Sequence, residues 1–347
     1  MIAVAGSSAT PHLGIRSEWL AQVNEEIIEP ELPIIDAHHH LWDRQNARYL
    51  FADFIADVHS GHRIVATIFA QCRSMYRADG PDEFKPVGEV EFINGLAAQS
   101  ASGLYGPARL CAGIIGGADL RLGDAVAPVL DAMQAASGGR LRGIRNSTAW
   151  HASESIRSNP ITPPNGLLSD PAFRRGVALL KARGLSLDVW AYHTQLAEVF
   201  DLARDFPNTT IVLNHLGGPL GAGPYAGKRA EVFVAWRTSM AMLARLPNVH
   251  VKLGGLGMQI SGFEFPTCAL PPTSLQLAFA WKPYIDTVIN LFGANRCMFE
   301  SNFPVDKGMF AYHVLWNAFK RLSSNYTSAE STALFSGTAA SVYRVSF

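Results

Sequence analysis

Three consecutive histidines follow a short apolar segment near the start of the chain. The segment reads Ile34-Ile35-Asp36-Ala37, and its β-branched residues favour a buried β-strand. Side chains alternate between the two faces of an extended backbone, so we expect His38 and His40 on one face and His39 on the other. Imidazoles that meet at the end of a strand can bind a metal ion or transfer protons. The apolar context argues against a solvated loop or an affinity tag.

Eight short apolar segments, nearly all followed by helical patterns, predict the elements that position these histidines. The segments are 33–38, 63–70, 109–115, 141–145, 185–190, 210–213, 249–253 and 296–299. This alternation is typical of a (β/α)8 barrel. An open doubly wound sheet is the alternative, but no Gly-x-Gly-x-x-Gly phosphate motif follows the first segment. We therefore predict one α/β domain over residues 1–347. Its fold is a distorted TIM barrel with C-terminal helices and an N-terminal extension, residues 1–32, in which 13–30 has helical spacing.

Polar residues lie where most of the predicted strands end, which is the catalytic face of a barrel. Besides the histidine pair, these residues are Arg73, Arg145, His193, His215, Lys252, Glu300 and Asn302. Taken singly, His193 and His215 could each be a core histidine that is hydrogen-bonded to backbone. Their convergence with the first-strand pair favours one shared site.

The composition excludes some classes of function. The chain has 29 Lys and Arg and 29 Asp and Glu, which argues against electrostatic binding to nucleic acid or an anionic membrane. Residues 1–11 lack the pattern of a secretory signal, and no apolar run is long enough for a membrane span. The four scattered cysteines are expected to be free thiols, as in a cytoplasmic protein.

Five motifs resemble those of one enzyme family. The motifs are Ile34–Asp43, Gly143–Arg145, Asn214–Gly218, Val251–Leu253 and Ser301–Pro304. In their sequence and order, the chain is similar to the amidohydrolase 2 branch of the amidohydrolase superfamily. That resemblance implies a distorted barrel whose active site lies at the strand ends. It also implies lactone hydrolysis or, as in more distant relatives, zinc-dependent decarboxylation.

The resemblance also assigns roles to individual residues. It places the family's first-strand histidines at His38 and His40, and the histidines of its fifth and sixth strands at His193 and His215. The arginine that binds a substrate carboxylate in dicarboxylate lactonases matches Arg145, whose planar guanidinium suits that contact. Ion pairing that braces the barrel is the alternative role for this arginine.

The chain departs from the family's pattern after the eighth predicted strand. The family has an aspartate there that binds metal and accepts a proton from water, and this chain has Asn302. Glu300 lies two residues earlier, on the same face of an extended backbone. Our hypothesis is that Glu300 is the base or metal ligand and that Asn302 contacts substrate or water. Asp306 is the competing carboxylate, and a buried ion pair with Lys252 or Arg145 is the alternative role for Glu300.

A divalent metal, zinc above all, is the candidate cofactor. Its expected ligands are His38, His40, His193, His215 and Glu300. The alternative is weak or absent metal, with the histidines and Arg145 polarising the carbonyl and a carboxylate deprotonating water. In both cases the expected catalytic residues are His38, His40, His215 and either Glu300 or Asp306.

These residues predict a hydrolase that opens a lactone or related cyclic ester of a carboxylated small molecule. The expected substrate-binding residues are Arg73, Tyr76, Arg145, Tyr192, Lys252 and Asn302. Alternatives are a metal-dependent decarboxylase of an aromatic or unsaturated acid, and a barrel that binds a small molecule without catalysis. The apolar segment 310–322 is a candidate homodimer face.

Overall fold

Eight parallel strands form one nearly closed barrel in the computed structural model, which describes residues 11–44 and 47–347. The barrel strands follow chain order around the sheet, and β2 and β3 form a separate antiparallel pair. The strands are β1 (Ile34–His39), β2 (Trp42–Arg44), β3 (Ala47–Tyr49), β4 (Ile64–Ala70), β5 (Arg109–Gly116), β6 (Leu141–Ser147), β7 (Ser186–Trp190), β8 (Ile211–Leu213), β9 (Val249–Leu253) and β10 (Cys297–Phe299). The predicted (β/α)8 barrel is confirmed.

Helices follow most of the barrel strands, and several begin with a side-chain cap. The helices are α1 (Ser17–Leu20), α2 (Phe51–Val58), α3 (Val87–Ala101), α4 (Ala127–Ala136), α5 (Pro171–Ala178), α6 (Leu196–Asp205), α7 (Arg229–Ala244), α8 (Ser274–Phe292), α9 (Tyr312–Ser323), α10 (Ser328–Thr332) and α11 (Thr338–Tyr343). Asp170 caps α5 by accepting a hydrogen bond from the amide of Phe173. Thr327 and Glu330 form the predicted capping box of α10.

The C-terminal segment packs against the interior of the barrel. A large cluster of buried side chains lies between the strands and the helices. A second cluster joins strand residues, such as Ile35 and Met298, to Tyr343 and Val345 near the C-terminus. The last helix therefore supports the strands that carry the site.

The predicted helix over 13–30 is wrong, because only α1 is helical there. The backbone after α1 bonds instead to side chains of α9. Asn317 accepts from the amide of Ile28 at 2.9 Å, and Lys320 donates to the carbonyls of Ile28 and Glu29 at 2.8 and 2.7 Å. These bonds replace the hydrogen bonds that a helix would have made.

Two further predictions concern the candidate dimer face at 310–322 and the four cysteines. The apolar side chains of 310–322, such as Phe310, Leu315 and Trp316, are buried within this chain, so that segment does not offer an exposed dimer face. All four cysteines are free, as predicted. No helix in the described part of the chain is long and apolar enough to cross a membrane.

Hydrogen bonds close the barrel where β1 meets the end of β10. The Asp36 carboxylate accepts from the amide and the hydroxyl of Ser301 at 2.8 and 2.6 Å, and from the Tyr312 hydroxyl at 3.0 Å. The amide of Asn302 donates to the carbonyl of His38 at 2.8 Å. This closure brings the first-strand histidines beside Glu300.

Candidate active site

The three histidines at the end of β1 separate as the strand alternation predicts. The Nε2 atoms of His38 and His40 lie 3.2 Å apart, and both rings are buried. The ring of His39 stacks on Phe54 of α2 and hydrogen-bonds to Thr67, away from the other two rings. A register shift in β1 after Asp36 accompanies this arrangement.

Arg145, at the end of β6, contacts the ring of His38. One guanidinium nitrogen donates to His38 Nε2 at 3.2 Å, and another donates to the carbonyl of Gln71. Burial and the nearby Lys252 lower the pKa of His38 well below its ordinary value, so the ring is neutral. The Nδ1 atom of His38 lies 3.1 Å from Glu300 Oε2.

His215 and Glu300 form a buried hydrogen-bonded pair. Glu300 Oε1 accepts from His215 Nδ1 at 2.7 Å and from the His215 amide at 3.1 Å. Burial lowers the pKa of His215, although the adjacent Glu300 opposes that shift. Because Nδ1 donates to the carboxylate, neutral His215 has its lone pair on Nε2.

Two glycines after β9 leave room for this pair. A Cβ on Gly254 would lie 2.5 Å from Cγ of Glu300, and a Cβ on Gly255 would lie 2.5 Å from the His215 ring. Gly255 also has a φ of +71°, which side-chain-bearing residues rarely adopt. The Gly-Gly sequence is therefore required by the site rather than by a turn alone.

A buried ion pair lies beneath His38. Lys252 of β9 donates to Asp188 of β7 at 2.8 Å, and its ammonium lies 3.3 Å from His38 Nδ1. The hydroxyl of Tyr343 donates to the same Asp188 oxygen at 2.8 Å. The alternative that Glu300 pairs with Lys252 or Arg145 does not match these contacts. Lys252 pairs with Asp188, and Glu300 pairs with His215.

Asn302 and Asp306 form a separate pair at the end of β10. Asn302 donates its side-chain amide to Asp306 at 2.9 Å, and the amide of Gly257 donates to the other carboxylate oxygen at 3.0 Å. Burial raises the pKa of Asp306 well above its ordinary value. The contacts of Asp306 thus position Asn302, whose backbone φ of 55° is in the left-handed region.

A cavity of about 180 Å³ opens above these groups. The lining residues that the sequence predicted are His40, Arg73, Arg145, His215 and Asn302. Trp42 and Trp190 add aromatic walls, and residues 158–164 of the loop after β6 cover one side. His38 and Glu300 contact the lining residues from beneath. The cavity and the strand-end residues together form the candidate active site.

Other predicted residues lie outside the cavity lining. His193 packs against Tyr225 at 5.1 Å between ring centres, and its Nδ1 accepts from the amide of Leu220 at 3.4 Å. The hydroxyl of Tyr192 hydrogen-bonds to Ser158 at 2.7 Å. The roles predicted for His193, Tyr192 and Tyr76 stay predictions.

Sequence reasoning missed Asp188 and Tyr343. A carboxylate inside an apolar strand segment, 185–190, was the available signal for Asp188. Tyr343 offered no such signal, because its role depends on the packing of α11 beneath the barrel.

The donor set beside the cavity fits a divalent metal. Potential ligand atoms of His38, His215 and Glu300 lie within 4.8 Å of one another, and imidazole and carboxylate groups are common zinc ligands. Glu300 Oε2 is buried and has no hydrogen-bond partner among the described residues. The cations Lys252 and Arg145 contact His38, and their positive charge would weaken the binding of a second cation there. His193 is not a member of this group in the described part of the chain.

Comparison with known proteins identifies related chains. A family model described as Amidohydrolase matches residues 35–345. The uncharacterized protein y4mH of Sinorhizobium fredii is 33% identical over 338 residues, which cover 91% of this chain and 99% of that protein.

Two further relatives have a named activity or a solved structure. An L-fucono-1,5-lactonase of Burkholderia ambifaria is 26% identical over 325 residues, covering 90% of this chain and 95% of that protein. A crystal structure of an amidohydrolase from Burkholderia multivorans with bound zinc is 25% identical, with a TM-score of 0.69. The match covers 90% of this chain and 99% of that structure.

Proposed function

Because the chain belongs to the amidohydrolase family, we propose that it is a hydrolase that opens a lactone ring by attack of water on the ester carbonyl. The lactonases among its relatives support this substrate class. The observation that carries the proposal is the buried His215–Glu300 pair, which presents an imidazole nitrogen to a cavity of small-molecule size.

In this mechanism His215 accepts the proton of the attacking water. Glu300 keeps the other ring proton on Nδ1 and stabilises the imidazolium that forms. The water oxygen bonds to the carbonyl carbon, and negative charge develops on the carbonyl oxygen. The ring C–O bond then breaks, and the leaving alkoxide takes a proton from His215 to give a hydroxy acid.

Arg145 is the group that stabilises the negative charge. Its guanidinium is held by His38 and the carbonyl of Gln71, and it lines the cavity. A positive group already fixed in a dry site stabilises an oxyanion without reorganising. A divalent ion held by His38, His215 and Glu300 would supply Lewis-acid polarisation of the carbonyl and a lower pKa for the attacking water.

We also propose an anionic small molecule as the substrate, because the half-buried Arg145 provides positive charge at the cavity wall. Cytoplasmic location and a homodimer stay predictions that accompany this function.

The proposal is tested with a panel of sugar lactones and a pH indicator that records one acid per turnover. We expect His215→Asn to lose activity, because the proton acceptor is removed. His250→Asn, a histidine in β9 outside the cavity lining, is the matched control and should retain activity. Release of CO₂ from an aromatic acid would point to a decarboxylase, and ligand binding without turnover to a non-catalytic barrel.

A further inference from the structure

Three arginines line one wall of the cavity. Two of them donate hydrogen bonds to the short loop after β4, and the third belongs to that loop. The carbonyl of Gln71 accepts from Arg145, and the carbonyl of the next residue, Cys72, accepts from Arg44 at 2.5 Å. The following residue is Arg73, whose side chain lines the same cavity. Three consecutive residues thus orient two guanidinium groups and supply a third.

The loop is held from behind by a buried carboxylate. Glu89 of α3 accepts from the amides of Cys72 and Ser74 at 3.1 and 2.7 Å. Arg73 lies between those two amides and has a φ of 66°, which turns the chain at this point. The two bonds to Glu89 therefore fix the backbone on both sides of Arg73 before any ligand arrives.

Arg44 is fixed by a second contact. Its guanidinium carbon lies 4.0 Å from the centre of the Trp42 ring, a cation–π distance. The same indole stacks on the His40 ring, with 5.7 Å between centres and 21° between planes. Arg44 is therefore coupled through one aromatic ring to the histidine pair of the site.

Arg44 and Arg73 make no ion pair in the described part of the chain. Neither Arg44 nor Arg73 lies within 4.0 Å of a carboxylate oxygen in residues 11–44 and 47–347, and the other residues of the chain contain no Asp or Glu. No Asp or Glu is among the described residues that line the cavity, although Arg121 on its edge pairs with Asp119. Glu89 faces the loop backbone rather than the cavity.

We propose that Arg44 and Arg73 form a binding subsite for a carboxylate of the substrate, separate from the reacting ester. The substrates are then lactones that bear a carboxylate substituent rather than neutral sugar lactones. Guanidinium groups suit this task, because their paired N–H donors match the two oxygens of a carboxylate. This inference rests on the proposed lactone hydrolysis and names its substrate class.

The test compares aldonolactones with aldarolactones of the same ring and configuration. The members of each pair differ only by a terminal hydroxymethyl or carboxylate group. We expect kcat/KM to be about tenfold or more higher for the acidic member, because a charge-assisted hydrogen bond is worth about 10- to 100-fold in binding. Arg44→Gln and Arg73→Gln should each raise KM for the acidic lactone about tenfold and leave the neutral one nearly unchanged.

Two controls separate charge from folding. Arg44→Lys keeps the charge and should recover part of the loss, whereas Arg204→Gln removes an exposed arginine that pairs with Asp201 and Asp205 on α6 and should have no effect. Equal kinetics for both lactones in the wild type, or equal losses on both in the variants, would overturn the subsite but leave lactone hydrolysis standing.

Calorimetry gives a readout that does not depend on turnover. The open-chain dicarboxylate should bind the wild type more tightly than the matching monocarboxylate, and Arg44→Gln should reduce that difference. If no lactone is opened but this preference is present, the proposed reaction is wrong and the subsite stands. If the preference is absent, the subsite is wrong whatever the reaction.

Discussion

The substitution Glu300→Gln separates the two carboxylates that could serve the reaction. Glu300 accepts from His215 Nδ1 at 2.7 Å and faces His38 Nδ1 at 3.1 Å. Glutamine has the same shape and keeps one oxygen for His215, but it removes the negative charge. The fold should survive, whereas the stabilisation of protonated His215 should not.

The size of the loss follows from this role. General acid–base catalysis contributes about 10²- to 10⁴-fold, and a neutral amide in place of the orienting carboxylate forfeits much of it. At about 1.4 kcal/mol per tenfold change, the barrier should rise by about 3 to 5 kcal/mol. The KM should change less than kcat, because Glu300 is fully buried beneath the cavity.

The assay is acid release from the best lactone of the panel, with a thermal unfolding curve for each variant. Asp306→Asn is the matched control. Its carboxylate binds the amide of Gly257 and the side chain of Asn302, so its loss should lower stability more than the chemical step. Near-normal turnover in Glu300→Gln together with an inactive but folded Asp306→Asn would show that Asp306, and not Glu300, is the carboxylate that serves the reaction.

Three further predictions concern stability and metal binding. Burial raises the pKa of Glu89 from an ordinary 4.5 to about 7, so the folded chain binds this proton more tightly than the unfolded chain. The resulting stabilisation of the fold is present below the ordinary pKa and is lost as the pH rises to about 7. The free energy of unfolding of Glu89→Gln, measured with urea, should lack this dependence on pH. The same pH profile in the wild type and in Glu89→Gln would contradict the prediction. Lys252→Met should lower the free energy of unfolding by about 3 to 5 kcal/mol, because Asp188 would be buried without its cation. The double variant with Asp188→Asn should be more stable than the single one, and a less stable double variant would count against the ion pair. Zinc should raise the Tm of the wild type more than that of His215→Asn, and equal shifts would place the ion elsewhere.

Most of the barrel could be predicted because its strands are apolar runs bounded by turns. The segment at β9 was predicted with the same bounds that the structure has, and the capping box at Thr327 marked the start of α10. The region 13–30 could not be predicted in this way. Its apolar spacing resembles a helix, but its backbone partners, Asn317 and Lys320, lie in α9 far along the chain.

The members of the candidate active site could be predicted in part from the barrel fold itself. Strand ends of a barrel converge, so His38, Arg145, His215 and Glu300 could be grouped from their positions alone. The pairing of Glu300 with histidines rather than with cations depends on side-chain directions that the sequence pattern does not specify. Asp188 could not be assigned a partner, since Tyr343 lies 155 residues away and reaches it only through tertiary packing.

The bonds between Asp36 and Ser301 join residues 265 positions apart, which links the assembly of the site to the last stage of folding. His38 and Glu300 lie at the ends of the first and last barrel strands, so a chain that has not yet joined those strands has an incomplete site. Contacts of such long sequence separation form slowly, because the intervening chain must be ordered first. Recovered activity during refolding therefore reports on ring closure itself, and secondary structure should return before it.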